Sequence, residues 1–195
     1  MRILLFDNHD SFTWNLAHEM ERVDDSVVVE VKTAEEISLN EVAVYDAVVL
    51  SPGPGMPSDA KMLSEVLDES LKCEKPVLGI CLGLQAIVEH FGGKLENLEE
   101  VLHGRVTEMV WEAEGEPSGV FKGMNFPCQV GHYHSWVASR EEFPESLMIE
   151  ASNKQGLIMA IRHRTLPVSG FQFHPESILT PDGRSMLKAW LEYLK

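Results

Sequence analysis

The chain is poor in cysteine and in basic side chains, and it has no long hydrophobic run. Its three cysteines, Cys73, Cys81 and Cys128, show no C-x-x-C or Cys/His zinc spacing, so the sequence predicts free thiols in a reducing compartment. Sixteen basic against thirty-one acidic side chains give a formal net charge of −15, which would repel nucleic acids and anionic membranes. The first apolar run, residues 3–6, is far shorter than a signal-peptide core or a membrane span. We therefore expect a cytoplasmic protein without a nucleic-acid or membrane partner.

The apolar pattern of the first half predicts an α/β fold. Continuous apolar strands are predicted at residues 3–6 and 77–80, with further β-rich runs at residues 27–31 and 48–50. Helical periodicity separates these runs at residues 12–23, 61–71 and 84–91. Strands that alternate with helices indicate βαβ units and a parallel sheet.

The second half predicts an antiparallel extension of that sheet. After residue 93 the β-like runs become shorter, near residues 104–111, 129–133, 147–151, 157–161 and 168–173, and a final helix is predicted over residues 182–194. The acidic clusters at residues 96–100 and 112–116 are interpreted as solvated loop faces. No repeat, low-complexity tract or linker is present, so a single domain over residues 1–195 is expected.

Cys81 lies in the segment Gly-Ile-Cys-Leu-Gly at residues 79–83, where a predicted strand meets a predicted helix. Small residues two positions before and after a nucleophile let the strand and helix backbones pass closely in a sharp elbow. The helix that starts at Leu82 would point its free N–H groups at the sulfur and favour the thiolate. The sequence therefore predicts Cys81 as an exposed nucleophile at the C-terminal edge of the sheet.

His174-Pro175-Glu176 could supply the base and the orienting group that a thiol nucleophile needs. His174 follows an apolar strand, and Pro175 forces a turned backbone that could bring Glu176 back to the imidazole. Without the Cys81 elbow, His174 would be interpreted as a histidine at the edge of the sheet and Glu176 as a surface or helix-capping residue. Because the Cys81 elbow is present, we predict a Cys81–His174–Glu176 triad.

Residues 51–57, Ser-Pro-Gly-Pro-Gly-Met-Pro, follow a predicted strand and should lie at the same sheet edge. A rigid loop with bare backbone can present N–H groups to the oxyanion of a tetrahedral intermediate, worth about 3–4 kcal/mol per donor. The N–H groups of Gly53 and Leu82 are the candidates. A phosphate loop is disfavoured because the Lys-Ser/Thr ending and the G-x-G-x-x-G spacing are missing, and a plain β-to-α turn is the other alternative.

Four ordered motifs extend from the first strand to the segment before the last helix. They are Asp7-Asn8-x-Asp10-Ser11-Phe12, Leu50-Ser51-Pro52-Gly53-Pro54-Gly55-x-Pro57, Gly79-Ile80-Cys81-Leu82-Gly83-x-Gln85 and Gly170-Phe171-Gln172-Phe173-His174-Pro175-Glu176-Ser177. Together they resemble class I, triad-type glutamine amidotransferases, in particular the small subunits of anthranilate synthase and para-aminobenzoate (aminodeoxychorismate) synthase. The resemblance implies a flavodoxin-like open sheet with flanking helices, L-glutamine as substrate and a chorismate-using synthase subunit as protein partner. It implies no cofactor in this chain, since Mg²⁺ would be bound by the partner.

The resemblance also implies which residues contact glutamine. The segment Tyr-His-Ser-Trp at residues 133–136 is similar to the family's Tyr/Arg-His-Ser-Leu, whose Ser-Leu backbone clamps the α-amino and α-carboxylate groups. Trp136 stands at the leucine position, so the grip on substrate could differ. The implied contacts are Gly53, Pro54, Gly55, Gln85, Ser135 and Trp136.

Other candidate residues are given a structural interpretation. His132 and His134 could form a metal pair on one strand face, but no third ligand is near in sequence, so no metal site is predicted. Cys73 and Cys128 lack any activating context and are interpreted as inert. Two alternative functions stay open, namely a stand-alone thiol hydrolase such as a γ-glutamyl hydrolase and a catalytically silent regulatory subunit.

Overall fold

The structure, a computed structural model that describes residues 1–195, is built around one nine-stranded sheet. Its strands are β1 (Arg2–Phe6), β2 (Val28–Lys32), β3 (Ala47–Leu50), β4 (Val77–Ile80), β5 (Leu95–Trp111), β6 (Cys128–Ala138), β7 (Leu147–Asn153), β8 (Ile158–His163) and β9 (Val168–Phe171). Their order across the sheet is β2-β1-β3-β4-β9-β8-β7-β5-β6. The neighbouring strands β2, β1, β3, β4 and β9 pair in parallel. The pairings of β8 with β9, β7 with β8, β5 with β7 and β5 with β6 are antiparallel. The predicted open α/β sheet with an antiparallel extension is confirmed.

Helices cover both faces of the parallel half. They are α1 (Thr13–Val23), α2 (Leu63–Lys72), α3 (Leu82–His90) and α4 (Gly183–Tyr193), with short 3₁₀ turns at Leu39–Val44, Pro57–Asp59 and Gly119–Phe121. Because side chains alternate along a strand, Ile3 and Leu5 pack with α1 and α4, whereas Leu4 and Phe6 pack with α2 and α3. Burial on both faces explains why β1, β3 and β4 are continuous apolar runs. No helix combines the length and the apolar character needed to cross a membrane.

The carboxyl ends of four strands meet at one edge of the sheet. In the parallel register, β1 ends beside β3, β3 beside β4, and β4 beside β9. The segments that leave these strands therefore start close together, at Asp7, Ser51, Cys81 and Gln172. This edge is where open α/β sheets bind ligands.

The loop interpretation of residues 96–100 is wrong, because these residues lie inside the 17-residue strand β5. Glutamate has a low strand propensity, and pairing with β6 overrides it. The pairing is irregular: Asn97 lies opposite Trp136 and Leu102 opposite His134, so the four residues between them bulge. Residues 112–116 do form a loop, and the other elements are present with shifted ends.

Candidate active site

Cys81 occupies a strained elbow between β4 and α3. Its backbone has φ 51° and ψ −99°, a conformation that a residue with a Cβ rarely adopts and that is found at functional sites. A Cβ on Gly79 would lie 2.6 Å from the backbone N of Leu84, and one on Gly83 would lie 2.8 Å from Leu50 Cβ. Both flanking positions therefore require glycine, as the elbow prediction states.

The predicted exposure of Cys81 is wrong: only 5% of the residue is accessible. The bulge in β5 and the facing strand β6 add a wall that the sequence does not reveal. Cys81 instead lines a cavity of about 160 Å³, well below the roughly 300–1,000 Å³ of pockets for drug-sized ligands. The other lining residues include all six predicted glutamine contacts, and they are Gly53, Pro54, Gly55, Gln85, Val101, Tyr133, His134, Ser135 and Trp136.

His174 and Glu176 form a buried pair beside this cavity. The His174 Nδ1 atom lies 2.6 Å from Glu176 Oε1, and the His174 Nε2 atom is buried without a hydrogen-bond partner. Burial by itself lowers the pKa of His174, but interactions with Cys81 and Glu176 outweigh it and raise that pKa well above 6.5. The structure thus brings the three predicted triad residues together, with Nε2 available for proton transfer.

The backbone around His174 is held by strand β6. The His174 N–H donates to the Gly131 carbonyl at 3.1 Å, and the Thr180 hydroxyl donates to the His174 carbonyl at 2.7 Å. The imidazole packs edge-on against the rings of Tyr133 and Phe12, with centroid distances of 5.0 and 6.2 Å. These contacts restrict the imidazole to one orientation.

Gly53 lines the cavity, and Leu82, which follows Cys81 in the chain, lies next to it. A Cβ on Gly53 would come 2.6 Å from Asn8 Cβ and 2.7 Å from Leu82 Cδ2, so only glycine fits there. Neither the Gly53 N–H nor the Leu82 N–H donates a hydrogen bond within the chain. Two free amides beside a thiol can receive an oxyanion.

The first motif anchors the Gly53 loop. The Asn8 N–H donates to Ser51 Oγ at 2.9 Å, and Asn8 Nδ2 donates to the Ser51 carbonyl at 3.0 Å. Asp10 accepts the Phe12 N–H at 2.7 Å, and burial raises the Asp10 pKa. The motif therefore holds the Gly53 loop in place through Asn8 and fixes the position of Phe12 through Asp10.

His132 and His134 form a hydrogen-bonded array on strand β6. Thr107 Oγ1 lies 2.8 Å from His132 Nε2, and His132 Nδ1 lies 3.1 Å from His134 Nε2. Burial, with a further contribution from neighbouring histidines, lowers the pKa of His132 to about 4 and that of His134 to about 3. Both imidazoles are neutral near pH 7, and no group of three or more His, Cys, Asp and Glu residues is arranged to hold a metal.

The other two cysteines are separate from the cavity. Cys128 is buried, and burial followed by the charge of Asp182 raises its pKa to about 11. Cys73 is half-buried at the end of α2, with Sγ 3.7 Å from Glu69 Oε1.

Sequence reasoning missed several residues at the site. Gln172 donates from Nε2 to Cys81 Sγ at 3.6 Å, and its place in the last of the four motifs does not by itself indicate this contact. Val101 lines the cavity from the β5 bulge, which the loop interpretation of residues 96–100 concealed. Tyr133 and His134 also line it, and their position beside Ser135 was the available signal.

Comparison with known proteins gives consistent matches. A family model described as glutamine amidotransferase class-I matches residues 4–193. Anthranilate synthase component 2 of Haemophilus influenzae is 40% identical over 195 residues, covering 98% of this chain and 97% of that protein. The aminodeoxychorismate/anthranilate synthase component 2 of Bacillus subtilis is 36% identical over 192 residues, covering 97% and 95%. The crystal structure of a glutamine amidotransferase from Thermotoga maritima has a TM-score of 0.83 at 15% identity, covering 100% of this chain and 97% of that one, and it supports the fold alone.

Proposed function

The chain belongs to the class-I glutamine amidotransferase family, and we propose that it hydrolyses L-glutamine at Cys81 and passes the ammonia to a chorismate-using synthase subunit. The observation that carries the proposal is a thiol that lines one small cavity and interacts with the imidazole of a buried imidazole–carboxylate pair, with two free amides at neighbouring residues. Cys81 is the nucleophile, His174 the acid and base, and Glu176 the group that orients His174. The proposal treats residues 1–195 as one amidotransferase domain.

In the first half-reaction, the Cys81 thiolate attacks the side-chain carboxamide carbon of glutamine. The oxyanion is stabilised by the N–H groups of Gly53 and Leu82. The imidazolium of His174 gives its proton to the leaving nitrogen, the C–N bond breaks, and ammonia and a γ-glutamyl thioester form.

In the second half-reaction, His174 takes a proton from water while the water oxygen attacks the thioester carbon. The same two N–H groups stabilise the second oxyanion. The C–S bond then breaks, which releases glutamate and regenerates the Cys81 thiolate beside an imidazolium. Glu176 keeps one imidazole tautomer throughout, since it accepts a hydrogen bond from Nδ1.

The acceptor enzyme is inferred from the chemistry of ammonia and from the names of the relatives. Ammonia is mostly protonated near neutral pH and is then no nucleophile, so a glutaminase of this kind is useful when docked on the enzyme that consumes the ammonia. Relatives that match nearly the full chain are named as components of anthranilate or aminodeoxychorismate synthases. We propose a heteromer in the cytoplasm that serves tryptophan or folate synthesis, with Mg²⁺ and chorismate bound by the partner.

Two alternatives make different predictions. A stand-alone hydrolase such as a γ-glutamyl hydrolase would act at full rate without a partner and would need room for a longer substrate, whereas the cavity here is about 160 Å³. A silent regulatory subunit would have no need of the buried His174–Glu176 pair.

The test reconstitutes the heteromer with each chorismate-using synthase in turn and measures product formation with glutamine and, separately, with ammonia as the nitrogen source. Cys81→Ser is expected to lose glutamine-dependent product formation and to keep ammonia-dependent formation. Cys73→Ser, the same change at a cysteine outside the cavity, should keep both. Unchanged glutamine use by Cys81→Ser would refute the assignment, and the product identifies the pathway.

A further inference from the structure

We propose that Gln172 is a positioning residue that holds the Cys81 sulfur and links it to the backbone of Trp136 on strand β6. The inference deepens the proposed function and rests on it, because it concerns how the nucleophile of that reaction is oriented.

The link consists of three hydrogen bonds in series. Gln172 Nε2 lies 3.6 Å from Cys81 Sγ, and Gln172 Oε1 accepts from Gln85 Nε2 at 3.4 Å. Gln85 Nε2 also donates to the Trp136 carbonyl at 2.7 Å. Gln172 is fully buried and Gln85 is 2% exposed, so these hydrogen bonds lie inside the protein.

The direction of the series is set at its Trp136 end. A backbone carbonyl can only accept a hydrogen bond, so Gln85 must present its amide nitrogen to Trp136. That nitrogen can pair only with the oxygen of Gln172, which leaves the Gln172 nitrogen as the group that faces the sulfur. Cys81 therefore meets a donor, which favours sulfur in its anionic and nucleophilic form.

The same series determines what Gln85 offers to a ligand. Its nitrogen is shared between Trp136 and Gln172, and its oxygen accepts no hydrogen bond from the chain. Gln85 lines the cavity, so its oxygen is available to an N–H group of a bound molecule. A substrate that moves the Trp136 backbone would thus act on Gln85, Gln172 and the sulfur together.

The test is the pH dependence of Cys81 alkylation by iodoacetamide, followed by mass spectrometry of the Cys81 peptide in the full chain. Gln172→Met keeps the side-chain length and removes both the amide nitrogen and the amide oxygen. The midpoint is the pH at which alkylation reaches half of its maximal rate. Losing a donor to a charged sulfur should move this midpoint upward by about one pH unit. Gln129→Met, the same change at an exposed position of β6, should leave the midpoint unchanged.

A purely structural role for Gln172 would lower thermal stability without moving the midpoint, and that result in a folded variant overturns the proposal. If Gln172→Met does not fold, Gln85→Met provides the test, because it removes the partner that orients Gln172. The midpoint of Gln85→Met should then also rise, and an unchanged midpoint overturns the proposal.

The double variant separates a series from two independent effects. If Gln85 and Gln172 act in series, combining the two changes should shift the midpoint no further than Gln172→Met alone, whereas additive shifts contradict the series. Alkylation needs no glutamine. A failure of this inference is therefore distinguishable from a failure of the proposed function, which would appear as a parent chain that forms no glutamate with any synthase.

Discussion

Glu176 Oε1 lies 2.6 Å from Nδ1 of His174, and the two side chains are 1% and 2% exposed. Only Pro175 separates them, and the turn that it forms returns the carboxylate to the imidazole. A Cβ on Gly183 would collide with the Pro175 carbonyl, so α4 begins directly against this turn. The pair is therefore held by the fold and does not depend on substrate.

Replacing Glu176 by glutamine should reduce glutaminase kcat by about 10²–10⁴-fold, the range for lost acid–base catalysis. The carboxylate raises the His174 pKa, so the pKa of His174 should fall in Glu176→Gln. An NMR titration of the His174 ring protons, together with kcat in the heteromer, measures both effects.

The control for this change is Glu116→Gln at an exposed loop position, which should leave both quantities unchanged. A Glu176→Gln variant with the parent kcat would mean that the buried pair has no catalytic role.

Gly83→Ala should destabilise the chain by about 1–3 kcal/mol, the usual cost of overpacking. The added Cβ would meet Leu50 Cβ at 2.8 Å, which pushes α3 away from β3 and misplaces Cys81. Urea unfolding gives the free energy, and glutamine turnover should fall with it.

Gly123→Ala is the matched control for the elbow. A Cβ there meets nothing within 4 Å, although φ is 77°, so only the backbone strain of about 1 kcal/mol applies. Equal losses at the two glycines, with turnover retained in Gly83→Ala, would contradict the close approach at the elbow.

Acid should destabilise the chain through His132. Its pKa is lowered from 6.5 to about 4 by burial, so the unfolded chain binds more protons than the folded chain between these pH values. The stability that the neutral His132 side chain contributes is therefore fully present above pH 6.5. It is lost as the pH falls toward 4, at up to about 1.4 kcal/mol per pH unit.

His132→Gln should show a shallower loss of unfolding free energy over this range, measured by urea titration at several pH values. His18→Gln, at an exposed position of α1, should keep the parent slope. An unchanged slope in His132→Gln would show that this imidazole does not resist protonation.

The parallel half of the fold and the four motifs at its edge could be predicted from the sequence. Strands buried on both faces are continuous apolar runs, and the glycines at 79 and 83 report a close backbone approach that nothing else explains. The Cys81 elbow is visible for the same reason, since its constraints are local.

The part of the cavity wall that the β5 bulge adds, and the contact of Gln172 with Cys81, could not be predicted in this way. Val101 reaches the site because β5 bulges opposite Ser135, and that register depends on pairing with β6 rather than on local pattern. Gln172 contacts Cys81 across 91 positions of sequence, and only the alignment of β4 with β9 brings them together. Long-range pairing also buries Cys81, which the local pattern placed in solvent.

The most direct measurement for the central claim is covalent labelling of the full chain by a chloroketone analogue of glutamine, followed by peptide mass spectrometry. The account predicts one label per chain, on the peptide that contains Cys81, with labelling slowed by added L-glutamine. A label confined to Cys73 or Cys128, or Cys81 labelling that glutamine does not slow, would contradict a glutamine-specific thiol at this site.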